Sequence, residues 1–390
     1  MWLAILGLAL CAAIAGIIYL FTRFQRFGVV ERISGGRKRL KRLLAAVPLL
    51  GFVACGLFNV VNTVIMVLHL AVFWLFTEPF AFLRRRAGRK KTETSREADG
   101  TSTGKKSFPI YWEGIAAIVL CAVYLAIGWH HAHHVSRTSY ELTTEKVLPD
   151  GTLRIALIAD SHIGTTFDGD GFAEHLRTIA KNNPDVVIFA GDFVDDSTTR
   201  EDMIAACRAF TELKPKHGIY YSYGNHDKGY YNSRAYTPEE LESELLRNGV
   251  NVLQDDVVSI ADCFYIIGRM DKNEGDRKNG AGPRKSMEEL TKDLDKSRYM
   301  IVIDHQPNDY AAEAAADVDL VLSGHTHGGQ LLPLGPIGRW IGANDRTYGT
   351  ETRGKTTFIV SSGISGWEIQ FKTGTFSEYV IIDVKGPKLQ

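Results

Sequence analysis

The sequence has little of what would assign it quickly. Five cysteines in 390 residues make no disulfide framework. Cys11, Cys55 and Cys121 fall in apolar stretches, where they act most simply as small apolar side chains; Cys207 and Cys263 alone are placed to pair. Net charge is absent too, with 45 basic residues against 45 acidic ones, which argues against a general nucleic-acid binder. Charge is also missing locally: residues 1–22 carry none, and residues 43–77 carry none beyond His69.

A charge-free stretch of about 20 residues is long enough to cross a bilayer. Residues 1–22 lack a basic segment ahead of the apolar run, so a retained helix is expected rather than a cleaved signal. Residues 43–77 are too long for one ordinary span, and two helices of about 18 residues with a tight turn near Asn59 and Asn62 fit them. Residues 115–129 with their flanks give a fourth span, Glu113 near its start. Basic residues from Arg23 to Arg42 precede the second span, and Arg84 to Lys91 follow the third. The positive-inside rule puts both groups in the cytoplasm, which requires two crossings between them. The fourth span then leads outward and places the rest of the chain on the extracytoplasmic side of the cell membrane. Residues 84–106 read as a polar disordered loop. The run His130, His131, His133 and His134 reads as an interfacial cluster rather than a metal site. The expected division is a membrane region over 1–134, a linker over 135–150 and a further domain over 151–390.

From residue 151 onward, short apolar runs alternate with helix-like segments. Five of the runs end in Asp, His or Asn. Residues 153–159 lead into Asp160, Ser161 and His162; residues 186–190 into Gly191, Asp192 and, further on, Asp195. Residues 219–223 lead into Gly224, Asn225, His226 and Asp227, residues 300–303 into Asp304 and His305, and residues 319–323 into Gly324, His325, Thr326, His327, Gly328, Gly329 and Gln330. Ligands of open α/β sheets sit beyond the carboxyl ends of strands, so the five ends are expected to converge. Asp, Asn and His without thiolate suit two divalent ions such as Mn, Fe, Zn or Mg, and one carboxylate must be shared if the ions lie about 3.5–4 Å apart.

In this order the blocks resemble the calcineurin-like metallophosphoesterase superfamily over residues 153–384, and the ending Gly324–Gln330 is similar to its bacterial membrane-associated phosphohydrolase branch. The resemblance implies an α/β fold, a four-layer αββα sandwich of helices outside two stacked mixed sheets. It implies Asp160, His162, Asp192 and His327 as ligands of one metal and Asn225, His305 and His325 as ligands of the other, with Asp192 bridging. With two carboxylates and a bridging hydroxide the centre keeps a charge of about +1, which suits a phosphate anion. His226 is left to stabilise phosphoryl oxygens or to protonate the leaving oxygen. Asp195 and Asp227 read equally as carboxylates that orient neighbouring rings and as loop-closing or capping residues. Ser161 and Asp304 read as structural neighbours. After the glycine-rich turn at residues 361–367 the family's arginine is not obvious, and Lys372 is the candidate in its place.

The expected activity is therefore hydrolysis of a phosphodiester or pyrophosphate by metal-bridging hydroxide. Membrane attachment makes a lipid-linked phosphoester the attractive substrate, and no nucleic-acid partner is expected. The alternative is a membrane sensor or scaffold that keeps the metal-binding fold without turnover. The polar stretch 271–285 is a candidate rim for substrate selection.

Overall fold

The computed structural model describes residues 2–96, 110–230, 234–272 and 283–389. It divides into two units, 1–127 and 128–390. The first holds α1 (Trp2–Phe24), a short α2 (Gly28–Ser34), α3 (Lys38–Phe58), α4 (Val60–Arg96), set off from α3 by a break at Asn59, and most of α5 (Trp112–His133), whose last turns from Gly128 on belong to the second unit. Among the described residues, four stretches, Gly7–Phe24, Lys38–Phe58, Val60–Leu83 and Trp112–His133, are long and apolar enough to cross a membrane. Asn59 breaks the long apolar run because its backbone is extended (φ −152°, ψ 105°) and its Oδ1 accepts the Asn62 N–H at 2.8 Å, capping α4. Arg23 Nε lies 2.7 Å from Glu78 Oε1. Trp74 Nε1 donates to Tyr111 Oη at 3.0 Å, and Thr77 Oγ1 to the Glu113 carbonyl at 3.2 Å. The end of α1, the middle of α4 and the start of α5 thus share one level. Residues 84–96, expected as disordered loop, are instead the continuation of α4, since Lys and Arg are good helix formers. Residues 97–106 of that expected loop lie outside the described residues.

The second unit is built on two six-stranded sheets. One has the order β1 (Ser136–Thr143), β12 (Glu378–Lys385), β2 (Thr152–Ile158), β3 (Val186–Ala190), β4 (Ile219–Ser222), β5 (Val250–Leu253). The other runs β10 (Gly349–Arg353), β11 (Thr356–Val360), β9 (Leu320–Ser323), β8 (Tyr299–Ile303), β7 (Phe264–Gly268), β6 (Asp256–Ile260). Strand alternation sorts the side chains into layers. Ile155, Leu157, Val186 and Ile188 pack between the sheets against Ile301, Ile303, Leu320 and Leu322. Their neighbours Ala156, Ile158, Val187 and Phe189 face α6 (Gly169–Ala180) and α7 (Arg200–Ala209) through Phe172, Leu176, Met203 and Phe210. Met300, Val302, Val321 and Phe358 point away from the first sheet, toward Met287, Leu290 and Tyr310 on the helices Met287–Thr291 and Tyr310–Ala315. Helix, sheet, sheet, helix is the four-layer α/β sandwich the sequence led us to expect.

Two details differ from expectation. The segment 135–150 is not merely linker, because β1 pairs with β12 in parallel along its whole length, Ser136 opposite Glu378 to Thr143 opposite Lys385. Cys207 and Cys263 are free and buried in different core layers.

Candidate metal centre

Each site residue follows a strand buried on both faces. Asp160 and His162 follow β2, Asp192 follows β3, Asn225 and His226 follow β4, His305 follows β8, and His325 and His327 follow β9. The backbone turns sharply at these points. Asp160 (φ 54°), His162 (36°), Asp192 (53°), His325 (69°) and His327 (48°) all hold left-handed conformations that cost non-glycine residues energy. Two glycines allow the close approach: a Cβ on Gly191 would lie 2.5 Å from Gly224 N, and one on Gly224 would lie 2.2 Å from Asp192 Oδ1.

The turns gather the side chains into groups whose candidate ligand atoms lie within 4.8 Å of one another: Asp160 with His162 and His327, and Asp192 with His305 and His325. Asp192 reaches both groups, since its Oδ2 is 3.1 Å from His305 Nε2 and 3.6 Å from His162 Nε2. Asn225 is buried beside them and donates from Nδ2 to Tyr230 Oη at 2.7 Å. The outer nitrogens are fixed: His305 Nδ1 is 2.7 Å from the Ala190 carbonyl and His327 Nδ1 is 3.3 Å from that of Ser365. Among the described residues, the inner nitrogens of His162 and His305 are buried with no aligned hydrogen-bond partner, a costly arrangement that a metal ion relieves. The donor set of oxygen and imidazole nitrogen fits divalent ions of the hard or borderline kind.

In the metal-free protein, burial and neighbouring charges set the protonation of these groups in opposite directions. Burial pushes the Asp160 carboxyl up to about 6, with Asp192 adding to the rise and His305 opposing it. Burial, helped by neighbouring His305, holds His325 down to about 3, so its ring is neutral, the form that ligates. Burial also opposes charge on His305, but the Asp192, Asp160 and Asp271 carboxylates outweigh it and raise its pKa well above the usual value.

A third group, His162 with Asp195 and His226, has a different geometry. Asp195 Oδ2 and Oδ1 lie 3.1 Å from His162 Nδ1 and His226 Nδ1, so one carboxylate sets both rings. Asp227 closes a loop instead: its carboxylate accepts the N–H groups of Asp192, Phe193, Val194 and Gly224 at 2.7–3.1 Å. Ser161 Oγ donates to the Phe193 carbonyl at 2.7 Å, and Asp304 pairs with Arg269 at 2.8 Å and Arg284 at 3.1 Å. Lys372 does not face the cluster as an oxygen-binding cation. It is fully buried, drawn down to about 7 by burial, and donates to the carbonyls of Ser362 (2.6 Å) and Gly363 (3.2 Å), which braces the glycine-rich turn. Of the expected rim, residues 273–282 lie outside the described residues. Three neighbours escaped the sequence reading. Tyr230 and Trp367 pack their rings 4.9 and 5.4 Å from His226, and Arg234 Nη1 donates to the Asp227 carbonyl at 2.6 Å. No strand end or repeated motif marks Tyr230 or Arg234, whereas Trp367 closes the glycine-rich turn at residues 361–367.

Residues 153–329 match the model of the calcineurin-like phosphoesterase family. An uncharacterised metallophosphoesterase of Aquifex aeolicus is 34% identical over 252 residues, 63% of this chain and 90% of that protein. The chain belongs to the calcineurin-like metallophosphoesterase family. A transmembrane protein with a metallophosphoesterase domain from Danio rerio is 27% identical over 274 residues, 67% of this chain and 59% of that one. A dimetal phosphatase from Danio rerio is similar in structure at a TM-score of 0.33 and 14% identity, covering 54% of this chain and 87% of that one. Among metallophosphoesterases, this chain therefore has relatives both with and without "transmembrane" in their names, and its own four apolar helices associate it with a membrane.

Proposed function

We propose that this metallophosphoesterase is a membrane-anchored phosphohydrolase that uses two divalent ions, manganese being one suitable choice, to cleave phosphodiester or pyrophosphate bonds of a lipid-linked substrate. The observation that carries the reading is Asp192, whose one carboxylate oxygen faces imidazoles of both three-residue groups. Asp160, His162, Asp192 and His327 would hold one ion, and Asn225, His305, His325 and the shared Asp192 the other. When bound, such a pair supplies an activated water nucleophile and neutralises charge on the phosphoryl oxygens. Asp195 keeps His162 and His226 in register, and with His226 Nδ1 tied to Asp195 its Nε2 is the atom that offers a proton to the leaving oxygen.

The test uses the full chain in lipid nanodiscs, stripped by chelator and reloaded with Mn, Fe, Zn or Mg. Turnover of an aryl phosphodiester, and of a lipid phosphodiester in the same discs, should return only with metal. Folded, metal-loaded protein that cleaves neither would instead support the sensor or scaffold reading.

The extracytoplasmic placement rests on the two basic stretches and gains support from the shared level of α1, α4 and α5 around Arg23, Glu78 and Tyr111. Cys207 and Cys263 are buried and unsuited to report on it. Lys355, exposed in the turn between β10 and β11, is suited. A Lys355→Cys variant without Cys11 and Cys55 should react with a membrane-impermeant maleimide on intact cells. Reaction only after lysis would place the domain in the cytoplasm.

A further inference from the structure

Residues 331–343, which follow the His325–Gln330 loop without a break, contain no acidic residue and a single basic one, Arg339. Leu332, Leu334, Ile337, Trp340 and Ile341 are exposed, Trp340 by 75% and Ile341 by 65%. An exposed, largely apolar segment of this kind marks an interaction surface. We propose that it is a lipid-interface anchor, immersed at headgroup level in the bilayer from which the unit's own helix emerges. Resting on the phosphohydrolase reading, the proposal makes the substrate class a phosphoester lying at the headgroup plane.

Continuity with a membrane span identifies the occupant. Leu332 N donates to Thr373 Oγ1 at 3.1 Å and Thr373 N to the Gln330 carbonyl at 2.8 Å. The next residue back, Lys372, donates its N–H to the Gly128 carbonyl at 2.8 Å. Ser377 donates from N to the His131 carbonyl and from Oγ to the Ala132 carbonyl, each at 2.8 Å. The apolar segment, the loop 371–377 and the last turns of the span Trp112–His133 are therefore one hydrogen-bonded piece. His130, His131, His134 and Arg137 line a cavity of about 290 Å³ at that span's end, with no carboxylate among its lining residues. Aromatic and basic side chains are the ones that settle at a membrane interface, where basic groups meet anionic headgroups. A buried apolar face of a few large side chains holds such an element about 5–10 Å into the boundary layer. Gln330 ties the arrangement to the metal centre: it follows His327 and Gly329 and donates from Nε2 to the Ile369 carbonyl at 2.8 Å.

The experiment labels the full chain with fluorotryptophan, places it in nanodiscs of phosphatidylethanolamine and phosphatidylglycerol, and reads fluorine NMR. Loss of one resonance in Trp340→Phe assigns Trp340. A nitroxide near the headgroup end of the acyl chain should broaden that line about threefold or more relative to Trp367, whereas a water-soluble gadolinium chelate should leave it sharp. Broadening by the chelate and not by the nitroxide would overturn the proposal by placing the segment in water. Protection from both would overturn it by covering the segment with protein, a second copy included. None of these readings depends on turnover, so failure of the phosphohydrolase assay and failure of the anchor are separate results.

Discussion

Asp192→Asn should strip the centre of at least one of its two ions and lower turnover by more than the roughly 10–100-fold that loss of an outer hydrogen-bond partner costs. The side chain is buried at 1% exposure and its two oxygens have separate tasks. Oδ1 accepts the His226 N–H at 2.8 Å, and Oδ2 faces the inner nitrogens of His305 and His162. Asparagine keeps the volume but removes the charge shared by both groups and sets an amide where an anion stood. Metal analysis of the purified variant, beside turnover and circular dichroism, separates lost metal from lost fold. Asp195→Asn is the comparison: it spares the inner atoms and disturbs ring orientation, so the smaller 10–100-fold loss applies. A folded Asp192→Asn protein that retains two ions and full turnover would remove the shared carboxylate from the mechanism.

Much of this centre was legible because strands and their exits carry different signals. The runs through Ile155, Val187, Tyr220, Ile301 and Val321 are apolar on both faces, as strands between helices and a second sheet must be, and each is followed by glycine or a polar turn. What was not legible depends on backbone direction. Nothing in the identities of Asp160, His162 or Asp192 announces a positive φ, because packing imposes it against local preference. The two roles open to Asp195 and Asp227 were indistinguishable for the same reason: N–H groups of residues 192–194 converge on Asp227, whereas two imidazoles converge on Asp195. Lys372 was misread because its charge suggested an anion, while its burial gives it to two carbonyls. β1 is hard to see in composition: its positions alternate only between half-buried and exposed, as on an edge strand, and of the half-buried ones Ser136 and Thr138 are polar, which leaves only Tyr140 and Leu142 as an apolar signal. Arg269 meets Asp304 and Glu313 from 35 and 44 residues away, a separation no local pattern reports.

His226→Ala should lower turnover by about 10²–10⁴-fold while both ions stay bound. The ring lies outside the two ligand groups joined by Asp192, and its Nδ1 is committed to Asp195. Burial opposes charge on it, but Asp192 and Asp195 reverse that and raise its pKa, which favours the protonated ring. Its side chain keeps 12% exposure between the rings of Tyr230 and Trp367, enough for Nε2 to reach a substrate oxygen. Two tasks fit that position, and the leaving group distinguishes them. If Nε2 protonates the leaving oxygen, an alkyl phosphodiester, whose alkoxide is a poor leaving group, should lose far more rate than a nitrophenyl ester, whose phenolate departs without help. If the ring stabilises the phosphoryl oxygens, both esters should lose rate alike, since their phosphoryl charge is the same. Loss of metal from His226→Ala would contradict both tasks and make the ring a ligand. A selective loss on the alkyl ester, with two ions retained, would fix His226 as the acid.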